Sequence, residues 1–273
     1  GQVVIAADKH LKVTAGYSSD EFSGVISGGS GTGGLEIGGG TLTLSGVNTY
    51  SGNTDITGGA TLKIKGSGSI AAAGTLYVSG ANGAVLDISG ASSGVTVNNL
   101  YSAGNLAGSV VLGDNTLTLN TTDARNMGLL VSGTGGVTKT GAGTLTLSAA
   151  NAYTGETTIS AGTLVLTGAL DSATHVVLSG TSVWDLRTTQ TVASLSMASG
   201  SSITRGAGTS ALTVTGTSSL ANSVTTSGAQ TYGGAVTLAS GTTLSGSTIH
   251  TQGSLVGGGN ALTITGAADI DGN

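Results

Sequence analysis

The chain has 273 residues, of which 50 are glycine, 8% are charged and 3% are aromatic. A net charge of −5 with only eight Lys and Arg excludes the basic surface that a nucleic-acid-binding protein needs. No apolar run reaches the about 18 residues that span a bilayer, so we expect no membrane insertion by this segment. Cysteine and proline are both absent, which excludes disulfides and thiolate metal sites and is typical of a chain whose backbone N–H groups are nearly all used in strand pairing.

Short segments in which polar and apolar residues alternate recur along the chain, and each predicts a strand with one buried face. In chain order they are Thr41–Ser45, Thr61–Lys65, Thr75–Ser79, Val85–Ser89, Gly94–Asn98, Thr116–Asn120, Thr144–Ser148, Thr163–Thr167, Ala211–Thr215, Ala235–Ala239 and Ala261–Thr265. Gly and Ser-Gly pairs separate them as turns, and segment 120–128 breaks the alternation and predicts a loop. The short spacing leaves a sandwich, a barrel or a solenoid.

An internal repeat separates these alternatives. Segment 143–168 repeats segment 40–66, with residues 143–159 aligned without gaps on residues 40–56, and segment 228–238 is a weaker third copy. The shared tyrosine recurs at Tyr50, Tyr153 and Tyr232, and both distances divide by a coil of about 20 or about 26 residues. Only stacked coils have a reason to keep such a period. We therefore predict an all-β fold, a parallel β-helix (β-solenoid) of roughly 10–14 coils, with residues 1–273 as a single rod segment of a longer chain.

The repeated polar and aromatic residues have a structural and a binding interpretation. They are the pairs Asn48 and Tyr50, Asn151 and Tyr153, and Gln230 and Tyr232. Asn at a turn tolerates the left-handed backbone region and can bond its own backbone, and a neighbouring Tyr can cover the coil edge. We favour this structural role of turn and ladder residues over binding.

Two segments strongly resemble a known repeat. "GGVTKTGAGTLTLSAANAYTGETTISAGTLVL" (Gly135–Leu166) resembles the passenger-associated repeat of bacterial autotransporters, and "GGLEIGGGTLTLSGVNTYSGNTDITGGATLKI" (Gly33–Ile64) is a looser copy. The looser copy lacks the Lys-Thr-Gly lead-in that Lys139 begins in the other. Segment 182–216 resembles a second passenger pattern, and segment 227–272 resembles the repeats of filamentous-haemagglutinin-type adhesins exported by a partner barrel.

This resemblance implies a right-handed parallel β-helix that is secreted to the bacterial cell surface through an outer-membrane barrel. The barrel would follow in the same chain for an autotransporter and would be a separate protein for two-partner secretion. Both routes remain open from the residues alone.

Candidate ligand-binding residues are few. They are Trp184, Asp185, Arg187 and Tyr101, with Tyr17 and Tyr77 as further stacking candidates. Trp184 and Leu186 share one strand face, and Asp185 and Arg187 share the other. If Trp184 points outward it is the best sugar-stacking platform of the chain, and if it points inward it is part of the core.

Catalytic and metal sites are not expected. The 13 acids are scattered, whereas glycoside cleavage needs two carboxyl groups within about 5–10 Å. His10, His175 and His250 lie far apart without ligand spacing, and Asp269–Gly272 matches only the start of a calcium loop. We expect no cofactor and no metal.

The leading hypothesis is a non-catalytic adhesin segment that mediates cell aggregation or attachment to a polysaccharide, a host glycan or other copies of itself through many polar contacts. The alternative is a structural spacer or secretion-assisting stalk. A polysaccharide-degrading β-helix enzyme and an ice-binding protein, the latter from outward Thr-x-Thr pairs such as Thr41/Thr43, are minor alternatives.

Overall fold

The computed structural model describes residues 1–14, 19–28, 33–70, 74–79, 82–103 and 108–271. They form two compact units, Gly1–Val137 and Thr138–Asn273, called unit 1 and unit 2 below. The described residues contain strands and turns and no α-helix. None of their elements is therefore a helix long and apolar enough to cross a membrane.

Unit 1 is built from short strands that follow the predicted alternation. They are β1 (Gln2–Ile5), β2 (His10–Val13), β3 (Ser19–Phe22), β4 (Val25–Gly28), β5 (Gly34–Ile37), β6 (Thr41–Leu44), β7 (Thr54–Ile56), β8 (Thr61–Gly66), β9 (Thr75–Ser79), β10 (Val85–Ala91), β11 (Val95–Ala103), β12 (Ser109–Val111), β13 (Leu117–Asn120), β14 (Ala124–Met127) and β15 (Leu130–Gly133). Their parallel pairing gives three sheet faces: β1–β4, β3–β6–β8–β10–β12–β15 and β2–β5–β7–β9–β11–β13.

The core of unit 1 is a stack of aliphatic side chains. One row consists of Leu42, Leu62, Leu86, Val110 and Val131, each the partner of the next across parallel strands, and all are buried. Successive members are separated in sequence by one coil of the solenoid. Each buried aliphatic side chain contributes about 1.5–3 kcal/mol, so stability accumulates along the stack.

The remaining strands continue the same pattern. They are β16 (Val137–Thr140), which begins at the last residue of unit 1, and, in unit 2, β17 (Thr144–Leu147), β18 (Ala152–Tyr153), β19 (Thr157–Ile159), β20 (Thr163–Leu166), β21 (His175–Leu178), β22 (Val183–Leu186), β23 (Gln190–Val192), β24 (Ser194–Met197), β25 (Ser202–Arg205), β26 (Leu212–Val214), β27 (Ser218–Thr225), β28 (Gln230–Tyr232), β29 (Val236–Thr251), β30 (Leu255–Val256) and β31 (Leu262–Ile270).

The core row of unit 2 includes the largest side chain of the protein interior. It consists of Leu145, Leu164, Trp184, Ile203, Val224 and Leu244, which are partners in successive coils and are all buried. The sequence separation between successive residues of this row matches the shorter predicted coil, of about 20 residues. The separation between Leu62 and Leu86 in unit 1 lies between the shorter and the longer predicted coil length. The longer predicted coil is therefore wrong for the row of unit 2, whereas the row of unit 1 has steps of unequal length.

Glycine marks the positions where consecutive coils touch most closely. A Cβ atom on Gly234 would lie 2.5 Å from the carbonyl oxygen of Gly216, and one on Gly253 would lie as close to the carbonyl group of Gly234. Such contacts are too short for any real side chain. The high glycine content is thus required by coil stacking at the turns and is not a sign of disorder.

The predicted all-β, parallel β-solenoid fold is confirmed, with about 13 turns in total. The predicted loop at 120–128 is wrong, because Ala124–Met127 form strand β14 and Met127 is buried in the core. Asp123 and Arg125 form an ion pair of 3.1 Å beside that strand. The interruption of the alternation is therefore a turn between two strands and not an excursion from the coil.

Candidate functional site

Five charged and aromatic side chains stand in register on one sheet face of unit 1. They are Lys12, Glu36, Asp55, Tyr77 and Tyr101, on β2, β5, β7, β9 and β11, and each is the direct partner of the next. Because side chains alternate across a strand, their neighbours such as Leu35 and Ile37 are buried and the five point away from the core. We call this set the acid–tyrosine row.

The two acids of the row have different electrostatic surroundings. Lys12 Nζ lies 2.8 Å from Glu36 Oε1, which ties that carboxylate to a cation. Burial raises the pKa of Asp55, the negative charge of Glu36 raises it further, and His10 lowers it to a smaller extent than burial raises it. Asp55 therefore holds a proton to higher pH than an ordinary aspartate does.

The aromatic part of the row is a pair of partly exposed rings. Tyr77 and Tyr101 have ring centroids 5.6 Å apart at an interplanar angle of 73°, an edge-to-face contact. Register alone brings them together, since they belong to successive coils. A binding role for Tyr101 remains a prediction, and Tyr17 lies outside the described residues.

Trp184 does not have the exposure that a stacking platform requires. Its side chain is 0% exposed and lies in the core row between Leu164 and Ile203. Leu186, which shares its strand face, is also fully buried. The assignment of Trp184 as a ligand-binding residue is therefore wrong, because the alternation of β22 turns the ring inward with Leu186.

Asp185 and Arg187 form an ion pair on the outer side of β22. Arg187 Nε and Nη2 both lie 3.0 Å from Asp185 Oδ2, and Gly206 of the next coil leaves room for this contact. The Asp185 side chain is only 12% exposed, whereas that of Arg187 is 41% exposed. Arg187 is thus the more exposed member of the pair, and a binding role for either residue remains a prediction.

Asn48 joins three consecutive coils through its side-chain amide. Its Oδ1 accepts a hydrogen bond of 2.8 Å from the N–H of Ile26 in the preceding coil. Its Nδ2 donates to the carbonyl oxygen of Gly46 at 3.1 Å and to that of Ser69 in the following coil at 2.6 Å. Asn48 does not use the left-handed backbone region that asparagine tolerates; among the described asparagines, Asn99 and Asn222 do.

Asn151 and Gln230 act in the same way in unit 2. Asn151 Nδ2 donates to the carbonyl oxygens of Ala149 at 3.2 Å and, in the next coil, of Ala169 at 3.4 Å. Gln230 Nε2 donates to the carbonyl oxygens of Val224 at 3.0 Å and Ser245 at 2.9 Å. All three repeated amides therefore satisfy backbone groups between coils, and they are buried, which leaves them unavailable to a ligand.

The three repeated tyrosines lie inside the coils. Tyr50, Tyr153 and Tyr232 are 0–2% exposed, so the expectation that they cover the coil edge is wrong. Tyr153 Oη lies 2.7 Å from Thr157 Oγ1, and Tyr232 Oη donates to Gln230 Oε1 at 2.9 Å. Each ring fills the core at a turn, and its hydroxyl group finds a polar partner within the same turn.

Sequence reasoning missed further buried polar residues that do the same work. Asn115 donates to the carbonyl oxygens of Ile88 and Ala91, and Gln190 accepts from the N–H of Leu170 and donates to Gly168. The signal for these residues was an isolated amide within a Gly/Ser/Thr-rich turn. Neither residue belongs to the repeated Asn/Gln–Tyr pairs, so the repeat does not single them out.

Lys139 is the least expected of the buried residues. It is 1% exposed, and its Nζ donates to the carbonyl oxygens of Thr140, Gly141 and Ala161 at 2.7–3.1 Å. Burial lowers the pKa of Lys139 to about 8. Its three donors meet three acceptors, so the ammonium group of the Lys-Thr-Gly segment is bound to main-chain carbonyls and is not an exposed charge.

Hydroxyl groups line one sheet face of unit 2. Ser202, Ser223, Thr243 and Thr263 are successive partners on β25, β27, β29 and β31, and a second column contains Thr225, Ser245 and Thr265. Both columns mix Ser with Thr, so the hydroxyl groups of this face do not form a continuous ladder of Thr-x-Thr pairs.

The histidines have different surroundings. His175 Nδ1 lies 2.6 Å from Ser194 Oγ, as a surface residue with a neutral partner. His250 Nε2 lies 3.7 Å from Asp269 Oδ2 and 3.1 Å from Asp271 Oδ2. The expectation that no histidine has ligand-type neighbours is therefore wrong for His250.

Comparison with known proteins agrees with the fold and with the repeats. The model of the passenger-associated transport repeat matches residues 37–64 and 137–166. The chain is similar to the adhesin BmaC autotransporter of Brucella suis biovar 1 (strain 1330), with 36% identity over 166 residues that cover 55% of this chain and 4% of the Brucella protein. No solved structure matches.

The expected resemblance is thereby confirmed for the autotransporter repeats, while the likeness of the last segment to two-partner adhesins remains a prediction. The Brucella relative is described as an adhesin, a class defined by binding and not by catalysis. The chain carries the passenger repeats of autotransporter adhesins, and the expected secreted, cell-surface location is confirmed.

Proposed function

We propose that this chain is a non-catalytic adhesive segment that attaches cells to polysaccharide, and that the acid–tyrosine row of unit 1 is its main contact surface. The observation that carries the proposal is the edge-to-face pair Tyr77 and Tyr101 in register with Asp55 and Glu36. Export through an outer-membrane barrel follows from the relationship to autotransporters and is part of the same proposal.

The chemistry of the row suits a sugar chain. The faces of tyrosine rings pack against the apolar C–H face of a sugar, and carboxylate oxygens accept hydrogen bonds from its hydroxyl groups. With a strand spacing of about 4.8 Å, five strands place the row along about 19 Å, a length that holds several consecutive sugar units. A linear polymer lying across the strands would thus contact the two tyrosines with one part of its length and the carboxyl groups with the adjoining part.

Affinity would come from repetition and not from one deep pocket. The hydroxyl columns of unit 2 offer further weak hydrogen bonds, and many such contacts along one polymer add through effective concentration. Cell aggregation follows if one polymer bridges two cells, or if copies on two cells bind one another. A surface with few charges favours both, because little electrostatic repulsion opposes contact.

A second candidate function is polysaccharide cleavage, and one observation favours it. Glu36 and Asp55 are direct partners on adjacent strands, which lie about 4.8 Å apart, close to the about 5–5.5 Å between the carboxyl groups of retaining glycosidases. The raised pKa of Asp55 is the shift that a general acid needs. Against it, Lys12 holds Glu36 in an ion pair, and the two groups lie on an open sheet face. We regard binding as the function that the geometry supports better.

The test compares binding and cleavage on the same polymers. Purified chain is applied to an array of matrix and host polysaccharides, and the strongest hit is titrated by calorimetry. The double variant Tyr77→Ala/Tyr101→Ala is expected to weaken binding by at least about tenfold, or about 1.4 kcal/mol. The control Leu130→Ala, which shortens a 44% exposed apolar side chain in the same unit, is expected to leave binding unchanged.

Two outcomes would contradict the proposal. Absence of binding to every polymer, together with no clumping of cells coated with the chain, would favour the spacer function. Release of reducing ends that disappears in Asp55→Asn and Glu36→Gln would favour cleavage.

A further inference from the structure

Three side chains that can ligate a metal meet on one face of unit 2. His250 of β29 and Asp269 of β31 are direct partners in the parallel ladder. Asp271 follows Asp269 by two positions and therefore points to the same side of the sheet. The backbone around it is fixed, because the N–H of Asp271 donates to the carbonyl oxygen of Thr251 at 3.0 Å.

The two distances from the imidazole to the carboxylates are close to those between neighbouring ligands of a small divalent ion. One ligand atom from each residue lies within 4.8 Å of the other two. His250 Nε2 is 3.7 Å from Asp269 Oδ2 and 3.1 Å from Asp271 Oδ2. Bond lengths of about 2.0–2.2 Å around tetrahedral zinc place neighbouring ligand atoms about 3.3–3.5 Å apart, midway between these two values.

The exposure of the three side chains leaves space for further ligands. The side chain of His250 is 26% exposed, and those of Asp269 and Asp271 are 57% and 63% exposed. Three protein ligands therefore form one side of a coordination sphere, and water can complete it from solvent. The two carboxylates together with a neutral imidazole would neutralise the charge of a divalent cation.

We propose that His250, Asp269 and Asp271 form a binding site for a divalent cation of the Zn²⁺ class, which joins β29 to β31. One imidazole and two carboxylates suit Zn²⁺ and its transition-metal neighbours. Calcium needs six to eight oxygen ligands and magnesium takes few direct protein ligands, so both fit this set poorly. The site is separate from the acid–tyrosine row, the main contact surface proposed above, because its residues lie in unit 2.

The site has a structural consequence. β31 contacts β29 through main-chain hydrogen bonds, but most of its side chains are exposed, so little apolar burial holds it. An ion bound to both strands would add a side-chain connection where packing is weak. We therefore expect the metal to protect the amides of β31 from hydrogen exchange and to raise the melting temperature.

The experiment uses the purified chain with any affinity tag removed, titrated with ZnCl₂ by calorimetry and by equilibrium dialysis. One Zn²⁺ per chain is expected, with Ca²⁺ and Mg²⁺ failing to compete. His250→Ala and the nearly isosteric Asp271→Asn are each expected to weaken binding by at least about tenfold. His175→Ala is the matched control, a surface histidine of the same unit whose partner is Ser194, and it should bind as the wild type does.

Circular dichroism of each variant verifies that the solenoid is intact, which is expected because all three side chains lie at the surface. The proposal is overturned if Zn²⁺ does not bind at millimolar concentration, if His250→Ala and Asp271→Asn bind as well as the wild type, or if His175→Ala loses binding to the same extent. Exchange protection of β31 that is unchanged by Zn²⁺ would overturn the proposed connection between the strands.

Discussion

Replacing Trp184 tests the internal packing of unit 2 most directly. The side chain is fully buried in the core row, and Trp184→Ala would leave a cavity between Leu164 and Ile203. Truncation of a buried tryptophan costs about 3–5 kcal/mol in unfolding free energy, from lost transfer energy and from the cavity. In a stack where each coil contacts only its neighbours, this loss falls on the coils of β20, β22 and β25.

The indole N–H of Trp184 makes the comparison with phenylalanine informative. Nε1 is buried and has no hydrogen-bond partner among the described residues, which costs about 1–3 kcal/mol. Trp184→Phe removes that cost while leaving a smaller cavity than alanine does. We therefore expect the phenylalanine variant to lie within about 1.5 kcal/mol of the wild type, well above the alanine variant.

The assay is urea unfolding followed by circular dichroism, with intrinsic fluorescence as a second measurement on the wild type. Since the chain has one tryptophan, its emission reports this position alone. We expect blue-shifted emission that acrylamide does not quench until the chain unfolds. Val256→Ala, which trims a residue that is 52% exposed, should change the unfolding free energy by less than about 0.5 kcal/mol.

Two results would refute this reasoning. One is a loss below about 1 kcal/mol for Trp184→Ala, which no fully buried tryptophan should show. The other is red-shifted, readily quenched emission from the folded wild type, which would place the ring in solvent and restore the stacking platform that the structure excludes.

Three further predictions concern stability. Burial raises the pKa values of Tyr153 and Tyr232 above that of an unfolded tyrosine. Above about pH 10 the unfolded chain therefore loses these protons first, which favours unfolding. The urea concentration at the unfolding midpoint, measured as a function of pH, should decrease above about pH 10 and not at lower pH. The pKa of Lys139 is about 8 in the folded chain and 10.5 in the unfolded chain. The unfolding free energy of the wild type minus that of Lys139→Met should therefore increase as the pH rises from about 8 to 10.5. If this difference in unfolding free energy stays constant with pH, the buried ammonium group is contradicted. Gly52→Ala, whose Cβ would overlap a carbonyl oxygen of the preceding coil, should cost at least about 1–3 kcal/mol by calorimetry, whereas Gly241→Ala, with open space around it, should be close to neutral.

Strand positions could be predicted because their signal is local. The alternation in Thr41–Ser45 and Thr144–Ser148 predicts strands that the structure shows as Thr41–Leu44 and Thr144–Leu147. Coil length was harder, since the coils are unequal: the step from Leu145 to Leu164 is shorter than the step from Leu62 to Leu86. The variation arises in turns, whose lengths the alternation does not constrain.

The candidate site could not be predicted, because it depends on register. Lys12 and Tyr101 are far apart in sequence and join one row only through the lengths of all the turns between them. The same holds for His250 and Asp271, whose proximity follows from the length of the single coil between them. By contrast, the inward position of Trp184 could be predicted from the sequence, because Trp184 shares a strand face with Leu186, an aliphatic residue that favours burial.

The amide bridges of Asn48 have a consequence for how the chain folds. Its partners lie one coil behind and one coil ahead, so a coil becomes fully hydrogen-bonded only after its successor has settled on it. We therefore expect the coils to fold one after another, each forming against the coil that has already folded. Each new coil pairs with residues about one coil earlier in the sequence, so the loop that must be closed to add a coil has nearly the same length each time. A longer solenoid therefore needs more addition steps, but no single step becomes slower.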